Sequence, residues 1–144
     1  MGVADVEEIF KVRRVVEPSA IAMSARVPEA ALAAVGDQVV QAEDLARQRR
    51  WRDVETASLY FHQAIVDLSG SESLSNFFGI QLAQLRLAFA AVPGESGRQV
   101  HWVPRDRRIF DLLRTGDRAA AVDALNAYLD QSEIELFDAL RRQS

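Results

Sequence analysis

The stretch "ASLYFHQAIVDLSGS", Ala57 to Ser71, decides the class of fold. It is an apolar, helix-like run that begins upstream near Asp53 and ends near Leu68. The "SGS" that follows stops it, because Gly70 can adopt the left-handed conformation that closes a helix. In its middle stands His62, one of only two histidines in the chain. A histidine on an apolar helix face is ordinarily a core residue with its nitrogens satisfied. The alternative is that it lines a polar cavity inside a helical bundle, and the residues alone leave both readings open.

Outward from this run, apolar positions recur at helical spacing almost everywhere. Val6, Ile9, Phe10, Val12, Val16, Ile21, Ala22 and Met23 advance mainly by threes and fours, with Asp5, Glu7, Glu8 and Lys11 between them. The pattern predicts a first helix from about Val3 to Arg26, with a kink or break near Pro18, which lacks a backbone donor. Pro28 suits the first turn of a second helix whose apolar face is Ala31, Leu32, Val35, Val39, Val40 and Leu45. That helix ends in "RQRR", read as a basic C-terminus complementing the helix dipole rather than a phosphate site. A fourth helix, about Ser73 to Ala91, is apolar nearly all round, which predicts burial on several sides. "VPGESG" is the longest loop candidate. A fifth helix begins near Pro104 and ends at "TG", and Asp117 is a ready N-cap for a sixth that runs to the end of the chain. No strand pair and no internal repeat stands out, so the expected architecture is all-α, an antiparallel bundle of about six to seven helices.

Composition bounds function. With 144 residues, 49% hydrophobic and 26% charged, the chain is long enough for one domain, residues 1–144, with a real core. A formal charge of −4 supplies no basic field, which argues against the chain gripping nucleic acid or an anionic membrane by itself. The lack of cysteine excludes disulfides, thiolate metal sites and cysteine nucleophiles, and fits a cytoplasmic location. No apolar run approaches the ~20 residues of a membrane span. Phosphate loops, H-E-x-x-H and G-x-S-x-G are all missing, and His62 has no second histidine at i+4. His62 with an acid could form a base pair, yet no nucleophile or oxyanion donor accompanies it, so the chain is not read as an enzyme.

Four stretches then carry a resemblance. "EIFKVRRVVEPSAIAMSA" is similar to an opening E-x-R-x-x-x-E-P helix, and "YFHQAIVDLSGSESL" to an F-H-x-x-[IL] helix followed by a G-N-x-x-L turn. "RDRRIFDLLRTGDRAAA" is similar to E-H-x-x-I-x-x-A-[IL]-x-x-G-D, and "ALNAYL" to a closing M-x-x-H-[IL]. In this order they span nearly the whole chain and resemble the FCD ligand-binding domain of GntR-type bacterial transcription regulators. The resemblance implies a helical bundle with a cavity for a small effector, often a carboxylate-bearing metabolite. It also implies a homodimer that controls a separate winged helix-turn-helix domain. That DNA-binding domain is absent from these residues, so Met1-Gly2 is expected to be a truncated start, a free-standing domain being the alternative.

Departures from the pattern are informative. Many FCD domains hold a divalent metal through one aspartate and three histidines, and the resemblance places those positions at Ser58, His62, Asp106 and Tyr128. Only one of the four is kept. Serine and tyrosine hydroxyls are poor ligands near neutral pH, so no metal or other cofactor is expected, a weak divalent site being the alternative. The four residues are expected instead to face one cavity as a hydrogen-bonding cluster, in which Asp106 would hold His62 in its charged form. Arg13, at the opening-helix arginine, is the candidate to pair with an effector carboxylate, its competing reading being an ion pair with Glu17 one turn on. Arg86, in the most apolar helix, is a second candidate, against a snorkelling surface arginine. The leading function is effector sensing and dimerisation, and the rival is a dimerisation module that binds nothing.

Overall fold

The run around His62 forms the central helix of the bundle. A computed structural model describes residues 2–92 and 98–142. The helices are α1 (Val3–Ala22), α2 (Glu29–Arg47), α3 (Trp51–Asp67), α4 (Glu72–Ala90), α5 (Trp102–Arg114) and α6 (Arg118–Arg142). Short 3₁₀ turns at Ser24–Arg26 and Arg98–His101 precede α2 and α5. Among the described residues there is no strand. Helix α3 packs against α1, α2, α4 and α5, while α6 packs against α1 and α5, and α5 also lies against α2. Burial of Val54, Ala57, Phe61, Ile65 and Val66 explains why α3 sits inside this ring. It also places Ser58 and His62, one turn apart, where α1, α5 and α6 can reach them.

Local chemistry accounts for the boundaries. Ser71 caps α4 by accepting from the Leu74 amide, and Asp117 accepts from the Ala120 amide at the start of α6. Pro28 is extended and stands just before α2 rather than within its first turn. The "RQRR" run closes α2 with Arg47 paired to Asp44, and Arg50 pairs with Asp53 of α3. Arg52 reaches across to donate to the Phe89 and Val92 carbonyls, satisfying the C-terminal end of α4. Gly36 lets the Phe110 ring approach the backbone of α2: a Cβ there would stand 2.6 Å from the ring. This close approach helps bring α5 over α2.

Four expectations change. Helix α1 runs through Pro18 without breaking, because Val16, Glu17, Ala20 and Ile21 are buried on both sides of it and tertiary packing overrides the lost donor. The first helix nevertheless ends at Ala22, four residues before Arg26. Helix α4 buries only one face, through Phe78, Leu82, Leu85 and Ala88, leaving Phe77, Ile80 and Leu87 44%, 62% and 66% exposed. Among the described residues its second apolar stripe stays exposed. The fifth helix starts at Trp102, slightly earlier than Pro104 suggested. Most of "VPGESG" lies outside the described residues.

The ends of α2 and α5 share a backbone device with different residues at the key position. After α5, Gly116 is left-handed at φ +83° and Asp117 N–H donates to the Leu112 carbonyl. After α2, Arg50 N–H donates to the Leu45 carbonyl across a left-handed Arg49 at φ +57°. A side chain in that conformation costs about 1 kcal/mol. Arg49→Gly should therefore raise unfolding stability by about 1 kcal/mol in urea titrations, and Gly116→Ala should lower it by a similar amount.

Candidate functional site

Glu17 is the centre of the buried polar structure. Its residue is fully buried on α1, yet its carboxylate meets two groups: Arg13 Nε donates to Oε2 at 2.6 Å, and His62 Nδ1 lies 2.5 Å from Oε1. Arg13 and His62 are each 1% exposed. Arg13 lies one turn before Glu17 on the same helix, whereas His62 arrives from α3. Burial by itself would raise the Glu17 carboxyl, but Arg13 first and His62 next outweigh it and hold it below its ordinary 4.5. Burial pushes the His62 imidazole below 6.5, with Glu17 opposing and Arg13 adding to the fall. One cation already balances one anion here, so a second cation on His62 would be uncompensated. His62 is therefore neutral, donates its Nδ1–H to Glu17, and keeps a lone pair on Nε2.

A second cluster adjoins the first. Ser58, one turn before His62, donates its hydroxyl to Asp106 Oδ2 of α5 at 3.0 Å. The Tyr128 hydroxyl of α6 lies 3.0 Å from the same serine oxygen, and since Ser58 has only one hydrogen, Tyr128 is the donor in that contact. Asp106 is 1% exposed and lifted from 3.8 to about 8, chiefly by burial, with its neighbours Tyr128 and Ser58 opposing. Tyr128 is itself raised well above 10, again mainly by burial, with Asp106 adding to the rise. Both hydroxyls thus keep their protons. The acid beside His62 is Glu17, not Asp106, which corrects the expected pairing and reverses its sign: the imidazole is neutral, not charged. The reason is geometric, since α1 crosses α3 at His62 while α5 reaches Ser58.

The clusters border a cavity of about 40 Å³. Its polar wall is formed by Arg13, Glu55, Ser58, His62, Gln99, Tyr128 and Ser132, and its apolar wall by Val54, Leu59, Phe89 and Trp102. The Trp102, Tyr128 and His62 rings follow one another at centroid distances of 4.7 and 4.8 Å. Such a space holds about three water molecules at roughly 10–15 Å³ each. His62 Nε2, Gln99 Oε1 and Asp106 Oδ1 are buried without a hydrogen-bond partner among the described residues.

Four of the six residues singled out from sequence, Arg13, Ser58, His62 and Tyr128, line this cavity. Asp106 is bonded to Ser58 and is not among the lining residues. Arg86 lies elsewhere: it is exposed, donates to Thr56 at 3.3 Å, and borders a surface groove with Tyr60, Gln63 and Gly79. Sequence reasoning missed Glu55, Gln99, Trp102 and Ser132, and weighed Glu17 only as a partner for Arg13. Gln99 and Trp102 follow the loop and carried no periodic signal.

Residues 8–131 match the FCD domain family. The chain belongs to the FCD family. The crystal structure of a Rhodococcus sp. RHA1 protein assigned as a GntR transcriptional regulator superposes with a TM-score of 0.88 at 25% identity. The match covers 95% of this chain and 66% of that protein, so this FCD chain spans just under two thirds of its length. No curated protein matches the sequence significantly.

The donor set of this FCD domain does not suit the divalent metal that the resemblance implies. Among the described residues, no group of three or more His, Asp or Glu side chains could hold an ion. Two of the four family positions are hydroxyls engaged with each other and with Asp106.

The raised Asp106 has a pH signature. Folding keeps its proton between 3.8 and about 8, where the unfolded chain releases it. This contribution to stability is complete below 3.8 and is lost as pH rises to about 8. Asp106→Asn cannot ionise and still accepts from Ser58. Urea unfolding of both proteins at pH 5, 7 and 9 should show the variant gaining on the wild type with pH, by about 1 kcal/mol or more. Parallel curves would show that Asp106 titrates as an ordinary carboxyl.

Proposed function

We propose that this chain is the effector-sensing and dimerising part of a GntR-type transcription regulator, in which a small polar metabolite enters the cavity beside His62 and controls DNA binding by a separate domain. The observation that carries this reading is the cavity itself: a space in the bundle interior lined by Arg13, His62 and Gln99, each at most 3% exposed. A module that only dimerised would gain more stability from apolar side chains there, because buried ion pairs add little over a well-packed core. Ser58, His62 and Tyr128 are proposed as contacts, with Asp106 orienting Ser58. Arg13, expected to grip an effector carboxylate, already serves Glu17, so its proposed part is to keep Glu17 ionised and His62 in place. The exposed arginine at position 86 has no part in this reading.

The dimer is proposed to use the outer stripe of α4, Phe77, Ile80 and Leu87, since regulators that read paired half-sites hold two DNA-binding domains at fixed separation. Light scattering should give about twice 16.0 kDa, and Leu87→Asp should shift the protein toward the monomer. A wild-type monomer at tens of micromolar would count against the dimer.

The sensing half is tested by thermal-shift screening of small polar metabolites against wild type and His62→Ala. At least one compound should raise the wild-type melting point in a concentration-dependent way and lose that effect in the variant. Elemental analysis should find no stoichiometric Zn²⁺, Ni²⁺ or Mn²⁺, and EDTA should leave the melting point unchanged.

A further inference from the structure

The polarity of the cavity narrows what can occupy it, granted that the cavity is the effector site. His62 gives its Nδ1 hydrogen to Glu17, so its remaining nitrogen is a lone-pair acceptor, and that Nε2 is buried and unpartnered. Gln99 is 3% exposed and donates through Nε2 to Glu55 Oε2 at 2.7 Å. A carboxylate neighbour accepts only from the amide nitrogen, which fixes the orientation of the side chain and leaves Oε1 as the second buried, unpartnered acceptor. The two acceptors come from separate elements, α3 and the 3₁₀ turn before α5, and both residues line the same space. Each acceptor left without a donor costs about 1–3 kcal/mol.

Charge points the same way. Arg13 is countered by Glu17 at 2.6 Å, and Glu55 on the same wall is paired with Arg52 at 3.1 Å, so among the described residues the lining offers no unmatched cation for an anion. An anion placed between His62 and Gln99 would face two lone pairs with no hydrogen of its own to offer. A group carrying two donor hydrogens, a diol or an amine, would satisfy both.

We infer that the inner end of the effector carries two donor hydrogens, as a diol or an amine, uncharged or cationic, that it donates to His62 Nε2 and Gln99 Oε1, and that a carboxylate does not occupy this end. The volume limits that end to about three or four heavy atoms, the space of about three waters.

The test uses three probes of similar size: propane-1,2-diol, 1-aminopropan-2-ol and propanoate. The chain has only two histidines, so in protein labelled with ¹⁵N-histidine the His62 ring is read directly, with His101 as an internal control. The free protein should show His62 with Nδ1 protonated and Nε2 bare. The diol or the amino alcohol should shift the Nε2 resonance saturably, and propanoate should not. Gln99→Leu should weaken that binding about ten-fold, the loss of one hydrogen bond. A shift by the diol alone identifies a hydroxyl donor, and one by the amino alcohol alone identifies an amine. Saturable binding of propanoate at His62 with equal or greater affinity, or an Nε2 that is protonated in the free protein, would overturn the donor assignment while leaving an effector site in place. Unchanged diol and amino alcohol binding in Gln99→Leu would likewise overturn it. If no probe moves the His62 signals and no metabolite raises the melting point, the effector reading falls as well.

Discussion

The interior of this domain depends on one buried carboxylate. Glu17 is enclosed on α1, and a carboxylate in that position is tolerable only if it is both neutralised and hydrogen-bonded. Arg13 supplies the charge from one turn away, and His62 supplies a second hydrogen bond from α3. On an exposed helix an Arg and Glu four residues apart would be worth only a few tenths of a kcal/mol. Inside the bundle the same spacing becomes obligatory, since losing either partner leaves an uncompensated charge at a cost of about 3–5 kcal/mol. The triad therefore sets the register of α1 on α3 as well as the protonation state of the histidine.

From that state much of the site follows. A neutral imidazole tied down through Nδ1 offers an acceptor on its other nitrogen. The hydroxyls of Ser58 and Tyr128 and the protonated Asp106 form a separate chain beside it, built of groups that burial keeps neutral. Elsewhere in the FCD family the resemblance puts metal-ligating aspartate and histidine side chains at these positions. Here a chain of hydrogen bonds takes their place, and the wall it leaves is directional without carrying an extra charge. Hydrogen-bonding geometry, more than net charge, then governs what the cavity accepts.

The outer surface shows a complementary economy. Helix α4 has more apolar residues than one core face uses, and the surplus emerges as a stripe on the side away from α3. From the sequence alone this pattern looks like a helix buried all round. The distinction between a buried helix and one apolar on two faces depends on what packs against it, which no local periodicity records.

What the sequence determined by itself is substantial. Helical spacing, the left-handed Gly70, the stop at Gly116, the Asp117 cap and short connections specify an all-α bundle of about six to seven helices, because these signals act within a few residues. The i, i+4 spacing of Ser58 and His62 likewise puts them on one face. Tertiary structure alone decided which acid meets His62: Glu17 is 45 positions away and Asp106 is 44, so sequence distance could not choose between them. It also decided that Arg13 is spent on Glu17, that Arg86 faces outward, and that Gln99 closes the cavity, since each depends on where helices cross and on how deeply a charge is withdrawn from water.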